Sequence, residues 1–269
     1  MNIPKPILEA KRSYNWKLLL VLWIAAIIST IAVIPYAMTI QQPALEKVTL
    51  PMPLYQIILI QILANSIIFG LLIGGGLYFA TRIGLGIPFL ESWIQKKPSP
   101  GNLKYIVFIS TGIGILCALS IMAMDKYVFE PLLVSDGIEF PESIKPEAWK
   151  GFLASFYGGI TEELLMRLFF LTFFAWLGKF IWHTAEGRPT LLVLWIANIL
   201  SALIFGLGHL PATAAIGLPL NTLVVMRGIL LNGVAGLTFG WLYWSRGLES
   251  AMIAHFSADI VLHFIMVAV

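Results

Sequence analysis

The sequence predicts an all-α, polytopic bundle of seven or eight transmembrane helices, and three observations carry that prediction. Hydrophobic residues make up 59% of the 269 and charged residues only 12%, where an ordinary globular chain is about a quarter charged. The mean hydropathy is +0.88. The apolar residues also fall in runs close to the roughly 20 residues that a helix needs to cross a hydrocarbon core. This composition excludes a disordered chain, a coiled coil and a disulfide-stapled secreted domain; Cys117 is the single cysteine. The net charge of +3 is spread over separate loops with no aromatic-interleaved basic patch, so the bases read as topology signals and no nucleic-acid partner is expected.

The first span is expected at 17–40, behind Lys5, Lys11, Arg12 and Lys17. This basic start is like the n-region of a signal peptide, but the apolar stretch from Leu18 to Ile34 is too long for an h-region, which predicts a retained helix. The second span, 55–80, contains Gly74, Gly75 and Gly76, suited to close helix contact. The loop 81–104 carries Arg82, Lys96, Lys97 and Lys104, with Ile87, Phe89, Leu90, Trp93 and Ile94 as the apolar side of a short amphipathic surface helix. A third span at 104–124 leads to an acidic loop, 125–150, holding Asp125, Glu130, Asp136, Glu139, Glu142 and Glu147. Spans at 150–182, 189–208, 221–245 and 249–269 complete seven. With the basic segments inside, the N-terminus is cytoplasmic and the acidic loop outside. All of this forms one integral membrane domain, in which 1–149 supplies three N-terminal helices and their loops and 150–269 supplies the core.

The core holds residues that a lipid-facing helix excludes. A charge at the bilayer centre costs about 2.5–3.5 kcal/mol on the insertion scale, and the fourth span contains Glu162, Glu163 and Arg167. They must face protein or water, either as a packing salt bridge or as a functional group. Glu163 and Arg167, four apart, can pair on one helical face, while Glu162 projects about 100° away and lacks that partner. His209 closes the stretch Phe205-Gly206-Leu207-Gly208-His209 at the end of the fifth span. His255, Asp259 and His263 form a stripe along the last one. Peptide hydrolysis needs a base for water, an acid for the leaving amine and donors for an oxyanion. Glu162 with His209 could supply the first, and His255 with Asp259 could sit at the oxyanion. His263 reads either as an extension of this stripe or as a packing residue, and Arg227 as a snorkelling residue or the cap of a re-entrant end.

At these residues the chain resembles a known family. Glu162-Glu163-Leu164-Leu165-Met166-Arg167 is similar to the EExxxR motif, Phe205 to His209 to FxxxH, and His255 to Asp259 to HxxxN/D of the CAAX protease and bacteriocin-processing family. That family includes type II CAAX prenyl endopeptidases and proteins similar to the lysostaphin resistance protein. The likeness covers 150–269, and Gly84 to Trp93 more loosely. It implies an intramembrane endopeptidase with Glu162 as water-activating base, His209 as its partner, His255 and Asp259 at the oxyanion, and Glu163, Arg167 and Phe205 in support. It further implies a membrane-associated peptide or protein as substrate and a bacterial plasma membrane as location.

The prenyl endopeptidases resemble one another in an Asn at the last motif position, where an amide donates; Asp259 donates only when protonated. It is either neutral, or orients His255, or joins a metal site. Glu162, His209 and His255 make a conceivable zinc set, but no HExxH or other compact ligand motif is present, which favours glutamate chemistry with no cofactor. The strict seven-span drawing also sets His209 and His255 at different depths, so Pro211 to Trp244 is a place for a re-entrant turn or an eighth half-span. The competing function is a proton-coupled transporter, or a non-catalytic immunity or scaffold protein, built on the same buried polar groups; the absence of repeated halves argues for an enzyme.

Overall fold

The computed structural model describes residues 14–138 and 146–265. The basic tail with Lys5, Lys11 and Arg12, the acids Glu139 and Glu142, and the last four residues of the seventh expected span lie outside them. Among the described residues eight helices follow one another: α1 (Trp16–Leu45), α2 (Leu54–Ile83), α3 (Pro88–Ile94), α4 (Leu103–Ser135), α5 (148–178), α6 (Leu191–Ala215), α7 (Thr222–Arg246) and α8 (Leu248–Ile265). Six of them, all but α3 and α5, are long and apolar enough to cross a membrane, and the protein is an integral membrane protein. The fourth expected span is present as the unbroken helix α5. Its Glu162, Glu163 and Arg167 separate it from the other six in composition, and it is packed inside the bundle where those charges find protein partners.

Local chemistry sets the helix ends. Asn15, Asn102, Thr190 and Asn221 each accept a backbone N–H from the first turn of α1, α4, α6 and α7, the usual remedy for the unpaired donors there. Gly247, at φ +97°, is the only residue between α7 and α8; that left-handed backbone suits glycine and lets the chain reverse at once. The Leu248 N–H then bonds Gly86 O at 3.0 Å. Glu249 accepts the N–H groups of Phe89 and Leu90 at 2.7 and 2.9 Å, so the expected short helix 87–94 is formed as α3 and is tied to the start of α8.

Three expectations need correction. The fourth helix ends at Gly178, four residues short of 182, and 179–190 is a loop closed by a bridge between His183 and Pro189. Asp125 and Glu130 belong to helix rather than loop, because α4 runs on through a π-type turn at Asp125–Phe129. No eighth half-span separates His209 from α7: Leu210–Ala215 extends α6 by little more than a turn, and α7 is continuous.

The core is centred on α5, α7 and α8. Helix α8 packs between α4, α5 and α7, α7 packs on α6, and α1 and α2 lie against α5. Small residues allow this closeness, as they do between membrane helices generally. A Cβ on Gly76 would stand 2.6 Å from Leu168 O. One on Gly114 would collide with Ala254 O, and one on Gly236 would stand 2.7 Å from the Ala202 Cβ.

Candidate active site

Helix α5 positions the paired glutamates, and its geometry is unusual there. Residues Tyr157–Glu162 and Leu164–Leu171 form π-type turns, a rare widening that recurs at functional sites. Glu163 is fully buried and Arg167 is 1% exposed. They pair within the helix at 3.2 Å, while the Arg167 Nη2 also donates to Gly236 O at 3.2 Å. The guanidinium lies between two aromatic rings, 5.1 Å from the Phe205 centroid and 5.6 Å from that of Phe239, where cation–π attraction replaces part of its lost hydration.

His255 of α8 completes this cluster. Its Nδ1 bonds Glu163 Oε1 at 2.7 Å. A carboxylate only accepts, so the proton is on Nδ1 and the ring is turned by that bond. The opposite nitrogen, Nε2, faces Glu162 Oε2 at 3.6 Å and Asp259 Oδ1 at 3.7 Å, beyond a direct hydrogen bond but within reach of a bridging water. Adjacent residues of α5 diverge by about 100°, and that divergence lets Glu162 and Glu163 straddle one imidazole. The ring is stacked on Phe239, 4.8 Å between centroids, and meets Phe205 edge-on at 5.7 Å. Glu162 keeps 21% of its side chain exposed and Asp259 13%, against 0% for Glu163. Of the two glutamates, Glu162 is therefore the one that a solvent molecule reaches.

His209 stands on the other side of the motif's aromatic residue. Its ring meets Phe205 edge-on at 4.6 Å, and its Nδ1 donates to Phe205 O at 2.8 Å. The expected contact with Glu162 is not a direct bond among the described residues; His255 is the imidazole beside Glu162. The i−4 carbonyl holds Nδ1, which leaves the His209 Nε2 as the acceptor nitrogen. Phe205 touches both histidine rings, so the disagreement in depth between His209 and His255 is resolved by one shared aromatic neighbour.

Residues 144–261 match the family model described as Type II CAAX prenyl endopeptidase Rce1-like. This match supports the likeness of the domain to the CAAX-type intramembrane protease family. No curated protein and no solved structure gives a match.

Several residues of this candidate site carried no signal in the sequence. Phe239 is one apolar residue among many. Gly158 and Gly159 matter only through what lies opposite: a Cβ on Gly158 would collide with the Asp259 carboxylate and stand 3.0 Å from the His255 Nε2, and one on Gly159 would stand 2.8 Å from the Phe256 Cβ. A pair of glycines in a helix that must approach another was the available clue. Tyr36 of α1 bonds the His263 Nδ1 at 3.2 Å, and both residues lie outside the matched stretch.

A zinc ion would need several donors converging on one point. No three His, Cys, Asp or Glu side chains among the described residues are grouped to hold a metal ion. Of the set Glu162, His209 and His255, His209 meets the far side of Phe205 and makes no direct bond to Glu162 among the described residues.

Proposed function

We propose that this domain hydrolyses a peptide bond of a membrane-associated peptide or protein, with Glu162 activating water and no metal required. The observation that carries the reading is the division of labour around His255: one glutamate, wholly buried with an arginine, fixes the ring, and the adjacent, accessible one shares the opposite side of that ring with Asp259.

In the reaction Glu162 takes a proton from water as its oxygen attacks the scissile carbonyl, and the His209 Nε2 accepts the second water hydrogen and orients it. The developing oxyanion lies at His255, whose Nε2–H, in the doubly protonated ring that Glu163 supports, donates to it. The proton on Glu162 passes to the amide nitrogen, the C–N bond breaks, and a carboxylic acid and an amine leave. Arg167, Phe205 and Phe239 keep the carboxylate and both rings in register. Two residual readings belong to this proposal: the enzyme resides in a bacterial plasma membrane with its N-terminus in the cytoplasm, and its substrate arrives within the bilayer.

The test is hydrolysis of an internally quenched peptide library by purified protein. Glu162→Gln keeps the shape and removes the base, and should lower the rate by about 10²–10⁴-fold with unfolding temperature unchanged. Hydrolysis at the normal rate in that variant would overturn the mechanism. Treatment with a strong chelator should leave the rate intact; parallel loss of stoichiometric zinc and activity would overturn the metal-free reading.

A further inference from the structure

The last helix carries a second histidine that the reaction above does not use. His263 Nε2 lies 3.9 Å from Asp259 Oδ1, while its Nδ1 bonds the Tyr36 hydroxyl at 3.2 Å, with the two rings edge to face at 5.5 Å. A carboxylate oxygen offers only lone pairs, so the His263 nitrogen turned toward it carries the proton, and Nδ1 is left to accept from the Tyr36 O–H. In His255 and His209 it is Nδ1 that donates to an oxygen. Asp259 Oδ1 thus lies between two imidazoles, 3.7 Å from the His255 Nε2 and 3.9 Å from the His263 Nε2.

This arrangement meets a specific need. An amide at position 259 would donate on its own, whereas Asp259 offers two acceptor oxygens and can turn between them. One, Oδ1, lies between His255 and His263, and the other lies over Gly158, where a Cβ would collide with it. We propose that Tyr36 and His263 are positioning residues for Asp259: the Tyr36 O–H fixes the His263 tautomer, and the His263 Nε2–H, through one water, holds Asp259 Oδ1 so that the carboxylate keeps a single orientation beside His255. Helix α1, outside the region that matches the family, thereby supplies part of the active site. The inference rests on the hydrolytic reading given above.

Two experiments test it. Histidine-selective ¹⁵N labelling of the intact protein in detergent reads the tautomer without a substrate. His263 should show the Nε2–H form in the natural protein and lose that preference in Tyr36→Phe; an Nδ1–H ring in the natural protein overturns the proposal. In the peptide assay, Tyr36→Phe and His263→Leu should each lower kcat roughly three- to tenfold, the value of one hydrogen bond, with KM unchanged. His263→Gln, whose amide can donate from the same position, should recover most of the loss. In an Asp259→Asn background the Tyr36 and His263 substitutions should cost less than twofold, because an amide needs no external donor. Equal losses in both backgrounds would make the pair merely structural and sink the inference, while activity surviving Glu162→Gln would sink the hydrolytic reading and leave the tautomer result standing.

Discussion

The Glu163–Arg167 and Asp125–Arg227 pairs both link charges on helices of the bundle, and they are built for different ends. Glu163 and Arg167 sit four residues apart on α5 with almost no exposure, and the same Glu163 oxygen also takes the His255 Nδ1. Asp125 and Arg227 come from α4 and α7, 102 residues apart in sequence, and meet in a two-pronged bond of 2.6 and 2.5 Å with 31% and 19% of their side chains exposed. In the second pair both carboxylate oxygens face one guanidinium in the bidentate geometry that maximises mutual satisfaction. In the first, one oxygen is divided between a cation and a catalytic-motif histidine. A complete pair clasps two helices; a pair whose carboxylate is shared with a third group passes orientation on to it.

That contrast predicts unequal consequences of cutting each pair. The largest effect is expected for Arg167→Met, which keeps length and apolar contact with Phe205 and Phe239 but strands Glu163 without its guanidinium in a site with no exposure. Removing one member of a buried pair costs about 3–5 kcal/mol, to be read as a fall in thermal midpoint in detergent, together with loss of hydrolysis because His255 loses its fixed partner. Should the variant unfold no earlier than the natural protein, Glu163 is not charged there and the contrast fails at its first member.

Much of this was legible beforehand, and the reasons are physical. Bilayer thickness dictates helix length, so the apolar runs marked the spans to within a few residues at most ends. The cost of burying charge singled out Glu162, Glu163 and Arg167, and i,i+4 geometry paired the last two. What could not be read was partnership at a distance. Nothing local says that Glu163 reaches His255, 92 residues on, instead of ending at Arg167. Nor does anything local say that Asp125, seen as a loop acid, lies in a π-type turn of α4 facing Arg227. Phe239 was invisible for a different reason: in a chain this apolar, a ring that stacks on a catalytic-motif histidine has the same sequence signature as one that faces lipid.

The approach of α5 to α8 offers a sharper probe of intermediate size. Gly158→Ala adds one methyl against the Asp259 carboxylate and His255, and a clash of that kind in a packed interior typically costs about 1–3 kcal/mol. Gly112→Ala on α4 is the matched control, since a Cβ there meets nothing within 4 Å, and helix propensity alone should make it neutral or more stable by up to about 1 kcal/mol. Hydrolysis should fall with the first and hold with the second. If both behave alike, the close glycine contact is not what sets the distance between Glu162 and the His255–Asp259 pair.

The smallest effect is expected at the clasp itself. Arg227→Met removes both bonds to Asp125, but a carboxylate with nearly a third of its side chain exposed regains water when the arginine leaves, so most of the desolvation penalty that makes Arg167 costly is absent. The loss should be about 1–2 kcal/mol, between that of an exposed ion pair and that of a hydrogen bond to a buried charge. Asp125→Asn should cost a similar amount, and the double variant less than the sum of the two, since the same ion pair is lost in all three. Peptide hydrolysis should stay within about twofold throughout, as neither group touches the residues around His255. A loss of activity matching that of Arg167→Met at this smaller loss of stability would mean that the α4–α7 clasp reaches the site after all, and that a geometrically complete ion pair is no guide to a purely architectural role in this fold.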